Sequence, residues 1–223
     1  MKGIFVIGTD TGVGKTMVCA GILKMLQGTT TKPSYWKPVQ TGTIHGDDTT
    51  EVKTISGLAD SYFMEPAFRF PESLSPYSAS SKWGKTIELK HLVTLVQQRT
   101  QQGDFVIIEG AGGLLVPYHQ DWNQLDFIKA VGFPILIVGR DNVGVINQSL
   151  LTIESAKRAD IPILGVVLTH STGHSGNSDL ITQFSGVKVL LEIMPKADQN
   201  MLAAEVSRCE SLKQSFGLNH KTV

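Results

Sequence analysis

Residues 8–16 read GTDTGVGKT, a glycine-rich segment that follows the apolar run IFVI and leads into a helical pattern. Small residues in such a loop let successive backbone N–H groups point at a phosphate, and the helix N-terminus adds partial positive charge. Lys15 is placed to reach the terminal phosphates, and the Thr16 hydroxyl can ligate Mg²⁺. The strict phosphate-loop spacing places a glycine at Thr9, whereas Gly8 lies one residue earlier. A tight turn without a ligand is the alternative, but the intact GKT between strand and helix favours a bound nucleoside triphosphate.

The composition of the chain disfavours nucleic acid and membranes as binding partners. The 223 residues can bury the core of one large α/β domain. Twenty basic residues balance 20 acidic ones, and no basic run stands out, so the electrostatic footprint of a nucleic-acid binder is missing. The two cysteines, Cys19 and Cys209, have neither disulfide-framework nor metal-type spacing, and we expect Cys19 to be a small buried hydrophobe. Without a signal segment or a membrane-length apolar run, the sequence predicts a soluble cytoplasmic protein with small-molecule partners, no nucleic acid and no membrane.

Strand and helix patterns alternate along the chain with short connections. Strands are predicted at residues 4–7, 34–39, 104–109, 134–138, 162–168 and 187–194. Helices are predicted at residues 16–27, 46–59, 124–131 and 146–159. A further helix is predicted to be capped by Thr86 and to end at Gly103, and another to begin at Ala197. The alternation predicts a single doubly wound, mainly parallel sheet with helices on both faces, of the P-loop NTPase type, in one domain over residues 1–223. The aromatic-rich segment between Tyr62 and Gly84 is expected to be an ordered loop packed on that domain.

Three unusual segments come at the ends of predicted strands. The phosphate loop follows the first strand, KPVQTG closes the second, and EGAGG closes the buried run DFVII. Ligands of open parallel sheets bind beyond the carboxyl ends of the strands, so these segments should lie together. Glu109 stands where an acidic residue commonly holds Mg²⁺. Thr16, Glu109 and one of Asp47 and Asp48 could supply three oxygen ligands to a hard cation.

Each of these features has a structural alternative. Acids in the first turn of a helix are common for dipole reasons alone, so the choice between Asp47 and Asp48 stays open. Lys37 at a strand end could be a solvated lysine. The glycines of EGAGG could form a tight turn or a second anion-binding surface. The segment NVGVIN at residues 142–147 opens a helix and could present N–H groups to an anion, with ordinary helix capping as the alternative. His170 and His174 are four residues apart, but their Ser/Thr/Gly-rich segment is typical of a loop, so no zinc site is predicted.

Five segments taken together resemble the dethiobiotin synthase family. They are GTDTGVGKT at residues 8–16, KPVQTG at 37–42, SPYSAS at 75–80, IEGAGGLLVP at 108–117 and VGVINQSLLT at 143–152, in the order and spacing of that family. The resemblance implies a cytoplasmic, homodimeric ligase of biotin biosynthesis that uses ATP and Mg²⁺. Such enzymes close the ureido ring of dethiobiotin from 7,8-diaminopelargonic acid and CO₂, through a carbamate and a carbamic-phosphoric anhydride.

The resemblance also implies roles for single residues. It implies catalytic roles for Lys37, Lys15 and Thr11, and metal binding by Thr16, Asp48 (preferred to Asp47 from the spacing) and Glu109. Nucleotide binding is implied for Thr11, Gly12, Val13, Gly14, Lys15, Thr16, Met17, Thr169 and Pro195. Substrate binding is implied for Thr41, Gly112, Gly144, Val145, Ile146 and Asn147, the last four at a helix start that receives the substrate's tail carboxylate across the dimer interface. Thr169 stands where the family often has an asparagine that reads the base, so base specificity stays open.

Other classes compete with this interpretation. A P-loop switch or partitioning ATPase would carry a lysine where Asp10 stands, and a basic or amphipathic tail would be expected. A related amide-forming ligase domain would share the phosphate loop and the Glu109 strand, but not KPVQTG together with SPYSAS. A non-catalytic relative that keeps only the fold is disfavoured by the intact Lys15, Thr16, Lys37 and Glu109.

Overall fold

The structure, a computed structural model, describes residues 1–29, 32–195 and 198–218. Its strands are β1 (Gly3–Gly8), β2 (Lys32–Trp36), β3 (Val39–Gln40), β4 (Phe63–Met64), β5 (Phe68–Arg69), β6 (Asp104–Gly113), β7 (Ile135–Arg140), β8 (Ile163–Thr169) and β9 (Val189–Ile193). Its helices are α1 (Lys15–Leu26), α2 (Asp48–Ser56), α3 (Pro76–Lys82), α4 (Leu89–Gln101), α5 (Gln124–Val131), α6 (Val145–Arg158), α7 (Asn177–Ser185), α8 (Gln199–Arg208) and α9 (Glu210–Ser215). None of the helices in these ranges is both long and apolar enough to cross a membrane.

Seven of the described strands form one parallel sheet in the order β4-β2-β6-β1-β7-β8-β9. The central strand β1 pairs Phe5 with Ile108 of β6 on one side and with Ile135 of β7 on the other. The chain leaves β1 toward β2 on one side and reaches β7 on the other, so the direction of winding reverses at β1. The crevice beyond the carboxyl ends of β1 and β6 is therefore where ligands of such folds bind. The predicted doubly wound sheet is confirmed.

Alternating residues of β1 face two separate hydrophobic layers. Phe5 and Ile7 belong to one buried cluster, whereas Ile4 and Val6 belong to the other, which also contains most of α1. Burial on both faces explains why the central strands read as continuous apolar runs. Helix α1 is itself covered by α8, and a Cβ atom at Gly21 would lie 2.4 Å from Val206, so this close packing requires glycine. Cys19 on α1 is fully buried, as the sequence predicts.

Among the strand boundaries that differ from the prediction, two lie next to the crevice. The predicted strand at residues 34–39 is interrupted, because β2 ends at Trp36 and Pro38 has no N–H to donate to a ladder. Val39 and Gln40 pair instead with β5 in a separate two-stranded sheet. In contrast, β6 continues through Gly113, where the sequence suggested that a loop begins at Gly110, since Gly113 still pairs with Gly8 of β1.

Other differences concern helices and the aromatic segment. The predicted loop at residues 62–84 contains β4, which extends the main sheet, as well as β5 and α3. Ser75 caps α3 and Pro76 occupies its first turn, a start signal that the sequence analysis did not use. The predicted cap at Thr86 is wrong, since α4 begins at Leu89 after Glu88. Ala197, the predicted start of the C-terminal helix, lies outside the described residues.

Candidate active site

The phosphate loop joins β1 to α1 through left-handed glycines. Gly12 and Gly14 have φ angles of 70° and 93°, which other residues adopt only with strain. Gly14 is the N-cap of α1, so the positive end of the helix dipole lies at the loop. A Cβ atom at Gly8 would lie 2.9 Å from the Lys15 Nζ atom, so glycine there makes room for the lysine. The loop has the conformation of an anion cradle with an ammonium group at its centre.

A buried charged cluster lies beside this loop, at the carboxyl edge of β2 and β6. The Lys37 Nζ atom is 2.8 Å from Asp48 Oδ2 and 3.0 Å from Glu109 Oε1, and it also donates to the Gly110 carbonyl at 3.1 Å. Lys37 and Glu109 are only 6% and 1% exposed. The alternative of a solvated Lys37 is therefore wrong.

The environment fixes the charges of the two lysines. Burial disfavours the Lys37 ammonium, but the charges of Glu109 and Asp48 outweigh it and raise the pKa of Lys37 above its ordinary value. Burial lowers the pKa of Lys15, and the nearby Lys37 charge lowers it further, against the opposing effect of Glu109 and Asp48. Lys37 is therefore a fixed positive charge, and Lys15 is a cation that an incoming anion would stabilise.

The structure separates the two neighbouring aspartates. Asp47 is the N-cap of α2, where its Oδ1 atom accepts the Thr50 N–H at 3.0 Å, and its other oxygen pairs with Arg69. The Asp48 carboxylate instead faces Lys37, and its backbone N–H donates to Gln40 Oε1 at 3.1 Å. Asp47 thus serves the helix, and Asp48 belongs to the buried cluster.

The cluster gathers oxygen ligands of the kind that Mg²⁺ prefers. The Thr16 hydroxyl donates to Glu109 Oε1 at 3.1 Å, next to the bond from Lys37. The carboxylates of Asp48 and Glu109 share one ammonium, which leaves net negative charge for a divalent cation to offset. Within the described ranges no group of three or more His, Cys, Asp or Glu side chains could hold a metal. Thr16, Asp48 and Glu109 fit Mg²⁺ in the usual way for phosphate-transfer sites, where substrate phosphates and water complete the coordination.

A cavity of about 830 Å³ opens in front of the cluster. Its volume falls within the range of small-molecule sites. A Cβ atom at Gly112 would lie 3.4 Å from the Thr11 hydroxyl, so the glycine segment of β6 forms the wall opposite the phosphate loop. The structure brings these predicted site residues to the lining of the cavity: Thr11, Gly12, Gly14, Lys15, Thr16, Met17, Lys37, Thr41, Asp48, Glu109 and Gly112.

Three predicted nucleotide contacts do not line this cavity. Val13 is buried, and its carbonyl accepts the Thr169 hydroxyl at 2.8 Å. Thr169 is 1% exposed, and its methyl group would lie 3.1 Å from a Cβ atom at Gly14. Since the Thr169 hydroxyl bonds within the protein, Thr169 supports the phosphate loop, and its role in nucleotide binding stays a prediction. Pro195 is exposed beyond the end of β9.

The predicted substrate residues at the start of α6 also lie apart from the cavity. Gly144 caps α6 with a φ angle of 98°, Val145 is fully buried, Ile146 is half-buried and Asn147 is exposed. Helix α6 follows β7, which is three strand positions from β2 in the sheet, or about 14 Å. A single chain therefore does not place these residues beside Lys37.

Sequence reasoning missed three residues that hold the site together. The Tyr35 hydroxyl donates to Glu109 Oε2 at 2.9 Å, and burial, with the Glu109 charge, raises the pKa of this phenol well above its ordinary value. Gln40 holds the backbone of Asp48. Gln124 is fully buried and binds the Ala111 N–H and the Gly113 carbonyl, each at 2.8 Å. Alternate residues of a strand point to the same face, so the sequence places Tyr35 on the same side as Lys37. No sequence signal pointed to Gln124.

Fold and site together define a P-loop nucleotide-binding protein. Residues 2–200 match the family model described as "AAA domain" (AAA_26). Among solved structures, the chain resembles the MinC:MinD cell division protein complex of Aquifex aeolicus with a TM-score of 0.64 at 12% identity, over 100% of this chain and 99% of that one. It also resembles a ParA family ATPase from Chlorobium tepidum with a TM-score of 0.58 at 14% identity, over 98% and 95%. These similarities show the fold alone.

Curated relatives define the family more closely. The chain is 37% identical over 196 residues to the ATP-dependent dethiobiotin synthetase BioD of Paramagnetospirillum magneticum, covering 87% of this chain and 89% of that protein. It is 34% identical to the protein of the same name from Bacillus licheniformis, covering 89% and 87%. The chain belongs to the family of ATP-dependent dethiobiotin synthetases, which confirms the resemblance carried by the five segments.

Proposed function

We propose that the chain is a ligase of biotin biosynthesis that uses Mg²⁺ and ATP to convert 7,8-diaminopelargonic acid and CO₂ into dethiobiotin. The observation that carries the proposal is the convergence of the Asp48 and Glu109 carboxylates on the Lys37 ammonium, with the Thr16 hydroxyl on Glu109, beside a phosphate loop and in one cavity. The names of the relatives support the same reaction.

The phosphate loop binds the nucleotide in this proposal. Backbone N–H groups from Thr11 to Met17 and the start of α1 would hold the phosphates, with the Lys15 ammonium at the terminal ones. Lys15 donates to the Asp10 carbonyl at 3.2 Å in the structure, so the ammonium already lies within the loop. Thr169 supports this loop from beneath, through its bond to the Val13 carbonyl.

The chemistry joins two anions, which explains the charges around the cavity. One amine of the diamine captures CO₂ as a carbamate, and a carbamate oxygen then attacks the γ-phosphorus of ATP and expels ADP. Lys37 and Lys15 would offset the repulsion between the carbamate and the phosphates, and Thr11 would orient the carbamate. The second amine then attacks the carbamate carbon of the mixed anhydride. Ring closure releases phosphate, with the bridging oxygen leaving on phosphorus, and needs no covalent bond to the enzyme.

Thr16, Asp48 and Glu109 are the residues that would hold Mg²⁺. When bound, the metal neutralises phosphate charge and fixes the phosphate oxygens for transfer. Both carboxylates hold the Lys37 ammonium in the structure, so these residues already balance a cation at this point.

We further propose a cytoplasmic homodimer of one P-loop domain per chain. The start of α6, with Gly144, Val145, Ile146 and Asn147, would receive the tail carboxylate of a substrate bound by the partner subunit. The distance between α6 and Lys37 within one chain supports this arrangement. Exposed apolar side chains around the helix start support it as well, since Val143 and Leu151 are 104% and 60% exposed and Leu115 on the neighbouring loop is 58% exposed. Thr41 and Gly112 would contact the reacting end of the diamine.

The test is phosphate release by the purified protein with Mg·ATP and bicarbonate, with and without 7,8-diaminopelargonic acid. We expect release to depend on the diamine, and mass spectrometry to detect one dethiobiotin per phosphate. Phosphate release that is indifferent to the diamine would contradict the proposal and favour a switch ATPase with the same fold.

A further inference from the structure

Tyr35 binds the Glu109 carboxylate from the side away from the cavity. Its hydroxyl donates to Glu109 Oε2 at 2.9 Å, and the two residues are 0% and 1% exposed. Tyr35 lies opposite Ile107 in the register of β2 and β6, and Glu109 follows two residues further along the same face of β6. An aromatic side chain can reach such a diagonal neighbour, so the sheet itself places the phenol under the carboxylate.

The two oxygens of Glu109 therefore have different partners. Oε1 accepts from the Thr16 hydroxyl at 3.1 Å and from Lys37 Nζ at 3.0 Å, both of which line the cavity. Oε2 accepts from Tyr35 within the core. This division fixes the rotation of the carboxylate and keeps Oε1 on the cavity side, among the groups that line it. Removing the Tyr35 hydroxyl would take a donor from a buried acceptor and loosen that orientation.

We propose that Tyr35 is a positioning residue for the metal site, and that its hydroxyl holds Glu109 so that Oε1 points to a divalent cation beside Thr16 and Asp48. The inference rests on the proposed function, because it requires Glu109 to be a metal ligand. Residues that orient metal ligands through a second hydrogen bond commonly change metal affinity 10- to 100-fold when removed.

A purely structural role is the competing account. The Tyr35 ring packs edge-on against Phe63 with 6.1 Å between ring centroids. The substitution Tyr35→Phe keeps the ring and removes only the hydroxyl, so it separates the two roles. Tyr118 offers a matched control, since it is 1% exposed and its hydroxyl donates to Gln124 at 3.1 Å and not to Glu109. Loss of either hydroxyl should lower the melting temperature by a similar amount.

The experiment measures Mn²⁺ binding to the protein with saturating ADP, from the concentration of free Mn²⁺ determined by electron paramagnetic resonance. Affinity for ADP in EDTA is measured on the same variants by calorimetry. We expect Tyr35→Phe to raise the Mn²⁺ Kd about tenfold, with ADP affinity in EDTA within about twofold of the unsubstituted protein. Tyr118→Phe should leave both constants within about twofold, and Glu109→Gln should raise the Mn²⁺ Kd at least as much as Tyr35→Phe.

Two results would overturn the inference alone. One is an unchanged Mn²⁺ Kd in Tyr35→Phe while Glu109→Gln weakens Mn²⁺ binding. The other is an equal loss in Tyr118→Phe, which would assign the effect to the fold. If Glu109→Gln itself leaves the Mn²⁺ Kd unchanged, Glu109 is not a metal ligand, and the inference fails together with the metal site of the proposed function.

Discussion

The carboxyl edge of β2 and β6 and the start of α6 are the two predicted parts of the active site, and they differ in almost every respect. At the first, Lys37, Glu109 and Asp48 are paired within one chain, two of them almost fully buried. At the second, a glycine-capped helix start lies beside the exposed Val143 and follows β7, three strand positions from β2. Under the proposed function, phosphoryl transfer would take place within one chain, whereas recognition of the substrate tail would need a second copy.

The largest effect is expected from the lysine of the buried cluster. Lys37→Ala should lower kcat by about a hundredfold or more, on the order of 3 kcal/mol, because it removes a preorganised charge from the transferring group. Steady-state phosphate release measures this. Since Lys37→Ala also removes buried side-chain volume, Lys37→Met serves as a second variant that keeps the volume and removes only the charge. Lys129→Ala is the control, because it removes one positive charge at an exposed position and should leave kcat unchanged. Near-normal kcat in both Lys37 variants would contradict the account.

The neighbouring residues Asp47 and Asp48 are expected to respond differently to substitution, because only Asp48 belongs to the buried cluster. Asp48→Asn should raise the Mg²⁺ concentration for half-maximal activity by between about 10- and 100-fold, because a carboxylate is lost beside the metal. Asp47→Ala should leave the Mg²⁺ requirement unchanged and lower the free energy of unfolding by about 1 kcal/mol, through loss of the α2 cap. Activity titrations with Mg²⁺ and denaturant melts distinguish the two. A raised Mg²⁺ requirement in Asp47→Ala, together with an unchanged one in Asp48→Asn, would assign metal binding to Asp47 instead.

The exposed start of α6 should respond to a change that leaves the buried cluster intact. Val143→Asp places a charge on the apolar surface, so we expect weaker self-association and a KM for the diamine raised by roughly fivefold, or about 1 kcal/mol. ATP affinity should not change. Sedimentation and diamine titrations measure both effects, with Phe184→Asp, on the exposed face of α7, as the control. An unaltered KM in a monomeric Val143→Asp protein would show that the partner subunit does not complete the site.

The smallest effect is expected at Thr169. Thr169→Val removes the hydroxyl that donates to the Val13 carbonyl, so it should cost about 1 kcal/mol of stability and leave the preference among ATP, CTP and GTP unchanged. Thermal melts and rates with each nucleotide provide the measurement. A changed preference among the three would assign Thr169 to base recognition instead.

The sequence was most informative where periodicity and loop chemistry agree. Glycine spacing predicts the phosphate loop. Continuous apolar runs predict strands that are buried on both faces, and the alternation of strand and helix patterns gives the order of the main elements. Those signals were enough for the fold, and for the placement of Lys15, Thr16 and Glu109 at one edge.

The remainder depends on pairing between distant segments, which local patterns do not encode. The position of Lys37 at a strand end did not by itself exclude a solvated lysine. The pairing of β2 with β6 and the ion pairs with Asp48 and Glu109 exclude it. Tyr35 and Gln124 gained their roles in the same way, from neighbours more than ten residues away. Two local signals are readable in the sequence, because Pro38 closes the second strand and Ser75 before Pro76 marks the start of α3.

The attack of a carbamate on ATP is tested by following an oxygen atom from CO₂ to phosphate. If a carbamate oxygen attacks the γ-phosphorus and the second amine then closes the ring at carbon, that oxygen leaves on phosphate. With ¹⁸O-labelled bicarbonate in unlabelled water, and assay times shorter than isotope exchange, the account predicts one ¹⁸O atom in each phosphate released with dethiobiotin. Phosphate free of the label would show that water, and not a carbamate, attacks ATP, and would contradict the account.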